Sequence, residues 1–274
     1  IGASGDTITI PSGATFTNSG TTSAITISGA LSVDGGTIKL DGNYPTGTDN
    51  VALGNEALDS GSLSGGNNTA IGDNALSANT SGANNTAIGQ AALCTNLTGG
   101  SNVAVGRCAL KLNTASNNVA VGYHSMCTTS SGTENTAIGM SSLKSNTTAD
   151  FNTALGNQTL CKNTTGTNNT AVGACALEAN TTGGNNVAVG KSALITNTTG
   201  ICNTALGRTS MELNTTGSCN VAVGKDALSN NTTAVYNTAV GFQTLKLGTT
   251  ATQNTGIGAL SLDAVTTGSY NTGS

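Results

Sequence analysis

Asn186-Val187-Ala188-Val189-Gly190-Lys191-Ser192-Ala193-Leu194-Ile195-Thr196-Asn197-Thr198-Thr199-Gly200-Ile201-Cys202 is one unit of a repeat. The phrase Asn-Thr/Val-Ala-Ile/Val/Leu-Gly, followed four residues later by Leu or Met, recurs thirteen times between Gly54 and Gly258. Ten of the twelve glycine-to-glycine steps are 17 residues; Gly54 to Gly72 is 18 and Gly106 to Gly122 is 16. A short period held over so much chain specifies a stacked, quasi-one-dimensional molecule rather than a globule.

The columns of the repeat are distinct. Four residues before each glycine stands Asn, and three before stands Thr or Val. Two before is Ala in twelve units, with Gly256 the exception, and one before is Ile, Val or Leu. β-branched residues at alternate places specify a strand, here of five residues, whose side chains point to opposite faces. One face carries the branched residues and is expected to make the core with the following Leu or Met. The other carries Asn, Ala and Gly, is nearly flat, and is expected to pack against identical chains. Asn-Thr-Thr-Gly, as at Asn163–Gly166 and Asn214–Gly217, marks the corner into the next coil, because Asn and Gly tolerate left-handed backbone angles.

A helix does not fit. The Leu lies five residues beyond the apolar residue that precedes glycine, and each unit holds two or three helix breakers. The fold class is therefore all-β: a parallel β-solenoid or β-roll with one coil per 17 residues. Its coils stack at about 4.8 Å, with asparagine columns hydrogen-bonding from coil to coil. Each coil offers few apolar side chains against a backbone ordering cost of about 1–2 kcal/mol per residue. A parallel homotrimer would supply the missing burial.

Composition agrees with a stack. The chain has 38 Gly, 2 Pro, no Trp and 3% aromatics, too few large side chains for a conventional core. Charged residues are 8% of the chain, against about 25% in typical soluble proteins. The net charge of −4 is scattered, with no basic face for nucleic acid. No apolar run reaches the roughly 18 residues that cross a bilayer, so membrane insertion is not expected. The missing initiator Met and the stop partway through a repeat read as an excerpt of a longer polypeptide.

Units such as Asn186-Val187-Ala188-Val189-Gly190 and Asn68-Thr69-Ala70-Ile71-Gly72 resemble the head repeats of trimeric autotransporter adhesins. That resemblance implies a left-handed parallel β-roll assembled as a trimer. The period here is longer, and the Leu-x-x-Asn-Thr-Thr-Gly continuation departs from the family's pattern. The run from Gly2 to Thr21, Gly-Ala-Ser-Gly-Asp-Thr-Ile-Thr-Ile-Pro-Ser-Gly-Ala-Thr-Phe-Thr-Asn-Ser-Gly-Thr, is similar to a segment of marine bacteriophage tail-fibre proteins. Together these resemblances imply a virion tail fibre, outside the cell, that supports or takes part in host attachment.

Residues 1–49 lack the period and are expected to be a separate β-rich shaft or cap, with strands at Thr7–Ile10, Ala24–Ser28 and Gly36–Leu40. The solenoid is assigned to residues 50–274.

The seven cysteines fall on repeat positions. Cys202 and Cys219 are 17 apart and stack on adjacent coils, a separation that allows a disulfide; free thiols in a reducing cytoplasm are the competing reading. Cys94 with Cys108, and Cys161 with Cys175, are each 14 apart, while Cys127 has no such mate. No cysteine pair has zinc-site spacing, and no acidic loop matches a calcium site, so neither metal nor cofactor is expected. His124, beside Tyr123, has no partners that would make a catalytic constellation. The two positions after glycine vary, which marks the outside of a coil. Arg107, Tyr123, His124, Lys191, Arg208, Lys225 and Phe242 are the candidates for facing a receptor, a host-cell glycan or protein.

Three function classes remain: a structural fibre, a bacterial adhesin head, and an ice-binding solenoid with threonine columns. An enzyme is not expected, because the repeats supply no groove lined by carboxylates and aromatics.

Overall fold

The computed structural model describes residues 49–60 and 62–274. The chain divides into units Ile1–Lys39 and Leu40–Ser274, and the described residues all belong to the second. The expected strands before residue 49 lie outside the described residues.

The second unit is a parallel β-solenoid. Fourteen strands, from β1 (Val51–Leu53) to β14 (Thr272–Gly273), form one sheet in strict chain order, every pair parallel. Each coil supplies one strand, and no helix occurs among the described residues. In β9 (Val187–Val189) and β10 (Thr204–Leu206) Ala188 pairs with Ala205, so equivalent columns stand in register. The other walls are laddered too: Leu177 N–H donates to the Ala193 carbonyl at 3.0 Å, and Thr181 N–H to the Thr198 carbonyl at 2.9 Å.

The strands before β14 are three residues long rather than five, because the backbone bends at both ends. The residue before each asparagine has positive φ, as at Asn185 (58°), and the glycine that follows adopts φ near 134° at Gly190. That last angle suits only glycine. A Cβ on Gly190 would also lie 2.6 Å from the carbonyl carbon and oxygen of Gly207 in the next coil. Both the backbone angle and the close approach exclude a side chain there.

The two faces of the strand are assigned the opposite way from the sequence expectation. Ala188 and its equivalents from Ala70 to Ala239 are fully buried, as is Asn186, while Val187 is 38% exposed and Leu206 46% exposed. Alternation holds, but Asn and Ala point inward against the Leu/Met wall and the branched residues point out. The flat face is therefore already covered within the chain. Size explains the choice: the strand and the Leu wall of one coil lie too close for two layers of large side chains, so a small residue faces each leucine.

Leucine at that wall is held in left-handed backbone, with φ of 51° at Leu177 and 49° at Met211. β-branched residues are strained there. This accounts for a column occupied by Leu and Met and never by Ile or Val.

Two buried asparagine columns tie the coils together. In the first, Asn186 donates to the Asn169 Oδ1 through its N–H at 3.0 Å and its Nδ2 at 3.2 Å, and its Nδ2 also donates to the Gly200 carbonyl at 2.9 Å. Its Oδ1 accepts in turn from Asn203. Every donor and acceptor of the amide is used, which is what makes burial of a polar column affordable. The second column runs through the corners: Asn180 Nδ2 donates to Asn163 Oδ1 and to the Gly183 carbonyl, both at 2.8 Å.

The irregular steps are absorbed at corners. The short coil between Gly106 and Gly122 keeps Ala104 opposite Ala120, and the long coil after Gly54 keeps Ala52 opposite Ala70. In the short coil Asn113 Nδ2 turns to the Ala115 carbonyl at 2.8 Å, and Asn96 Oδ1 is left without a partner. Thr129 replaces asparagine in the next corner, and its buried Oγ1 is also unpartnered.

Candidate functional site

Two outward features of the coil could carry function. The first is the branched face. Ile71, Ile138, Leu206, Val240 and Ile257 are among the side chains more than a third exposed in the column one before glycine, and each borders its equivalent on the next coil. The column three before glycine adds Val187 and Val221. The result is an apolar stripe along the stack, longer than the isolated apolar residues of an ordinary surface. The sequence expectation places these residues in the core. The signal it missed is the free exchange of Val and Thr three before glycine, which suits a position that polar atoms can share.

The second feature is the column just after glycine. Gly190's unusual φ turns the chain outward, and the residues that follow are exposed: Lys191, Arg208, Lys225 and Phe242 on four successive coils. Lys225 Nζ lies 3.7 Å from Asp226 and 5.5 Å from the Phe242 ring centroid. Burial pushes the Asp226 carboxyl up, but hydrogen bonds from Thr209 and Gln243, with the charges of Lys225 and Lys246, outweigh it and hold the group below its ordinary value. Among the described residues, Lys191 and Arg208 have neither an ion-pair nor a side-chain hydrogen-bond partner.

Further down the same column, Arg107 is tied in place. Its Nε donates to Gln90 Oε1 at 2.7 Å and its Nη1 to Tyr123 Oη at 3.3 Å. The Tyr123 and His124 rings stack at 4.0 Å. Partial burial, then the charges of Lys144, Arg107 and Lys111, hold the imidazole below its ordinary pKa. Among the described residues this imidazole has cations and a phenol beside it and no carboxylate partner. The seven receptor-facing candidates thus divide into a locked trio, Arg107, Tyr123 and His124, and an open row of four.

The cysteines are free thiols. Cys202 and Cys219 do stand together on adjacent coils, both in left-handed backbone at 58° and 57°. Burial first, then the charge and hydrogen bonding of Cys202, push the Cys219 thiol up. Cys94 donates to the Lys111 carbonyl at 3.7 Å, the same contact Ser77 makes to Cys94 O at 3.3 Å, so cysteine there acts as a larger serine. Among the described residues no group of three or more His, Cys, Asp or Glu is placed to hold a metal, and no helix is long and apolar enough to cross a membrane.

The corner threonines are engaged rather than free: Thr164, Thr181 and Thr198 each donate to the carbonyl of the threonine one coil on, at 3.0–3.1 Å. The asparagines Asn146, Asn180 and Asn214, which head glycosylation triplets, are fully buried in the second ladder. Compared with protein-family models and with curated proteins, the chain matches none.

Proposed function

We propose that this solenoid is a segment of a viral tail fibre, working as a parallel homotrimer that projects from the virion and supports host-cell attachment. The observation that carries the assembly is the apolar stripe of branched side chains, continuous from coil to coil. Stripes from three chains brought face to face would be removed from water along the whole stack, with parallel chains matching coil for coil. Identical chains are thus received by the branched face, the opposite face being filled internally. The role is mechanical and adhesive rather than enzymatic. The location rests on the similarity of Gly2–Thr21 to phage tail-fibre segments.

A bacterial adhesin head is the second reading, favoured by the Asn-Val-Ala-Val-Gly units. Electron microscopy of the parent particle, with an antibody raised against the solenoid, separates the two. Label on rods projecting from a virion is expected; label on a cell surface without virions would overturn the fibre reading.

A further inference from the structure

We propose that the row Lys191, Arg208, Lys225, ending on Phe242, binds a linear acidic polysaccharide laid along the stack. The proposal rests on the register of the coils and not on the fibre reading.

The row is a costly arrangement without a ligand. In-register stacking puts equivalent residues on neighbouring coils about 4.8 Å apart. Three cations one coil apart repel, and solubility alone would be served better by scattering them. Yet of nine Lys and Arg in a chain of net charge −4, four stand in this one column, three of them in succession. Among the described residues only Lys225 of the row has a counter-ion, Asp226, and that carboxylate already accepts from Thr209 and Gln243. The remaining carboxylate of these coils is Glu212, five after its glycine. A second copy in register would bring only the same two acids. Three cations against two acids leave the row with excess positive charge, within one chain or between copies.

An anion that suits the row has a definite shape. It must be linear, carry negative groups at intervals comparable with the coil spacing, and reach an apolar ring at one end. Phe242 is 43% exposed, with Lys225 over its ring, and offers a surface for the C–H face of a sugar. A polysaccharide bearing carboxylate or sulfate groups meets all three conditions. Duplex DNA does not: one row of three cations cannot follow two phosphate strands, and no broad basic face surrounds it.

Arg107 provides the internal control. It occupies the same column, but its guanidinium is held by Gln90 and Tyr123 and is not free to receive a ligand.

The test uses the native assembled protein, with dextran sulfate, polygalacturonate, uncharged dextran and duplex DNA as probes. Binding to one or both acidic polysaccharides is expected at about 50 mM salt and release by about 0.5 M, with no binding of dextran. The two acidic probes tell sulfate from carboxylate recognition. The triple variant Lys191→Gln, Arg208→Gln, Lys225→Gln should bind about tenfold or more weakly, a change of about 1.4 kcal/mol. Arg107→Gln should stay within about twofold, and circular dichroism should be unchanged in both. The proposal is overturned if the native protein binds neither acidic polysaccharide, if the triple variant binds equally well, if Arg107→Gln weakens binding as much, or if DNA binds as tightly. Any of these results would leave the fibre reading standing, and a cell-surface location would leave the polysaccharide site standing.

Discussion

The two faces of each strand differ in what they tolerate. Inward, Asn is constant through all thirteen units and Ala through twelve; outward, Val and Thr exchange freely and Ile, Val and Leu replace one another. The inner face is fixed by geometry and hydrogen bonding together: Asn186 satisfies its whole amide along the column, and Ala188 leaves room for the leucine wall. The outer face has only to be extended and to carry branched side chains, Thr as readily as Val. In a thin solenoid, hydrophobicity does not rank residues by depth; size and polar satisfaction do.

The largest effect is expected at the glycine turn that ends each strand. Gly190→Ala places a Cβ at 2.6 Å from the Gly207 backbone in a φ region closed to alanine. It should destabilise the stack by about 3 kcal/mol or more, read from urea unfolding, with the damage centred on that coil. A loss below about 0.5 kcal/mol would show that the turn can relax.

Next comes the leucine wall. Leu177→Ile conserves volume but forces a β-branched residue into left-handed backbone, and should cost about 1–2 kcal/mol. Leu177→Met should cost less, since Met126 and Met211 already occupy the column. Equal losses for the two variants would mean that backbone strain is not what excludes isoleucine.

The smallest effect is expected at a corner, where the second asparagine column is interrupted. Thr129 interrupts the second asparagine column and leaves its own buried hydroxyl unpartnered. Thr129→Asn restores a corner amide between Asn113 and Asn146 and should stabilise by about 1 kcal/mol, measured by thermal melting.

Much of this architecture was legible in the chain. The glycine spacing gives the stack, the constant asparagine gives the ladder, and Asn-Thr-Thr-Gly gives the corner. Leu177 and its equivalents are correctly inside. The face was not legible by apolarity, because Val187 ranks above Ala188 on any hydrophobic scale and yet lies outside. Nor was the left-handed backbone of Leu177 visible from its own side chain; only the exclusion of Ile and Val from the column hints at it. The basic row was visible as separate variable residues, but stacking is what turns Lys191, Arg208 and Lys225 into one surface and separates them from the locked Arg107.

If the outward branched stripe joins three identical chains, the mass of the purified protein in solution will show it. Sedimentation equilibrium at micromolar concentration should give three times the chain mass of 26.6 kDa. A folded species at 26.6 kDa would contradict it.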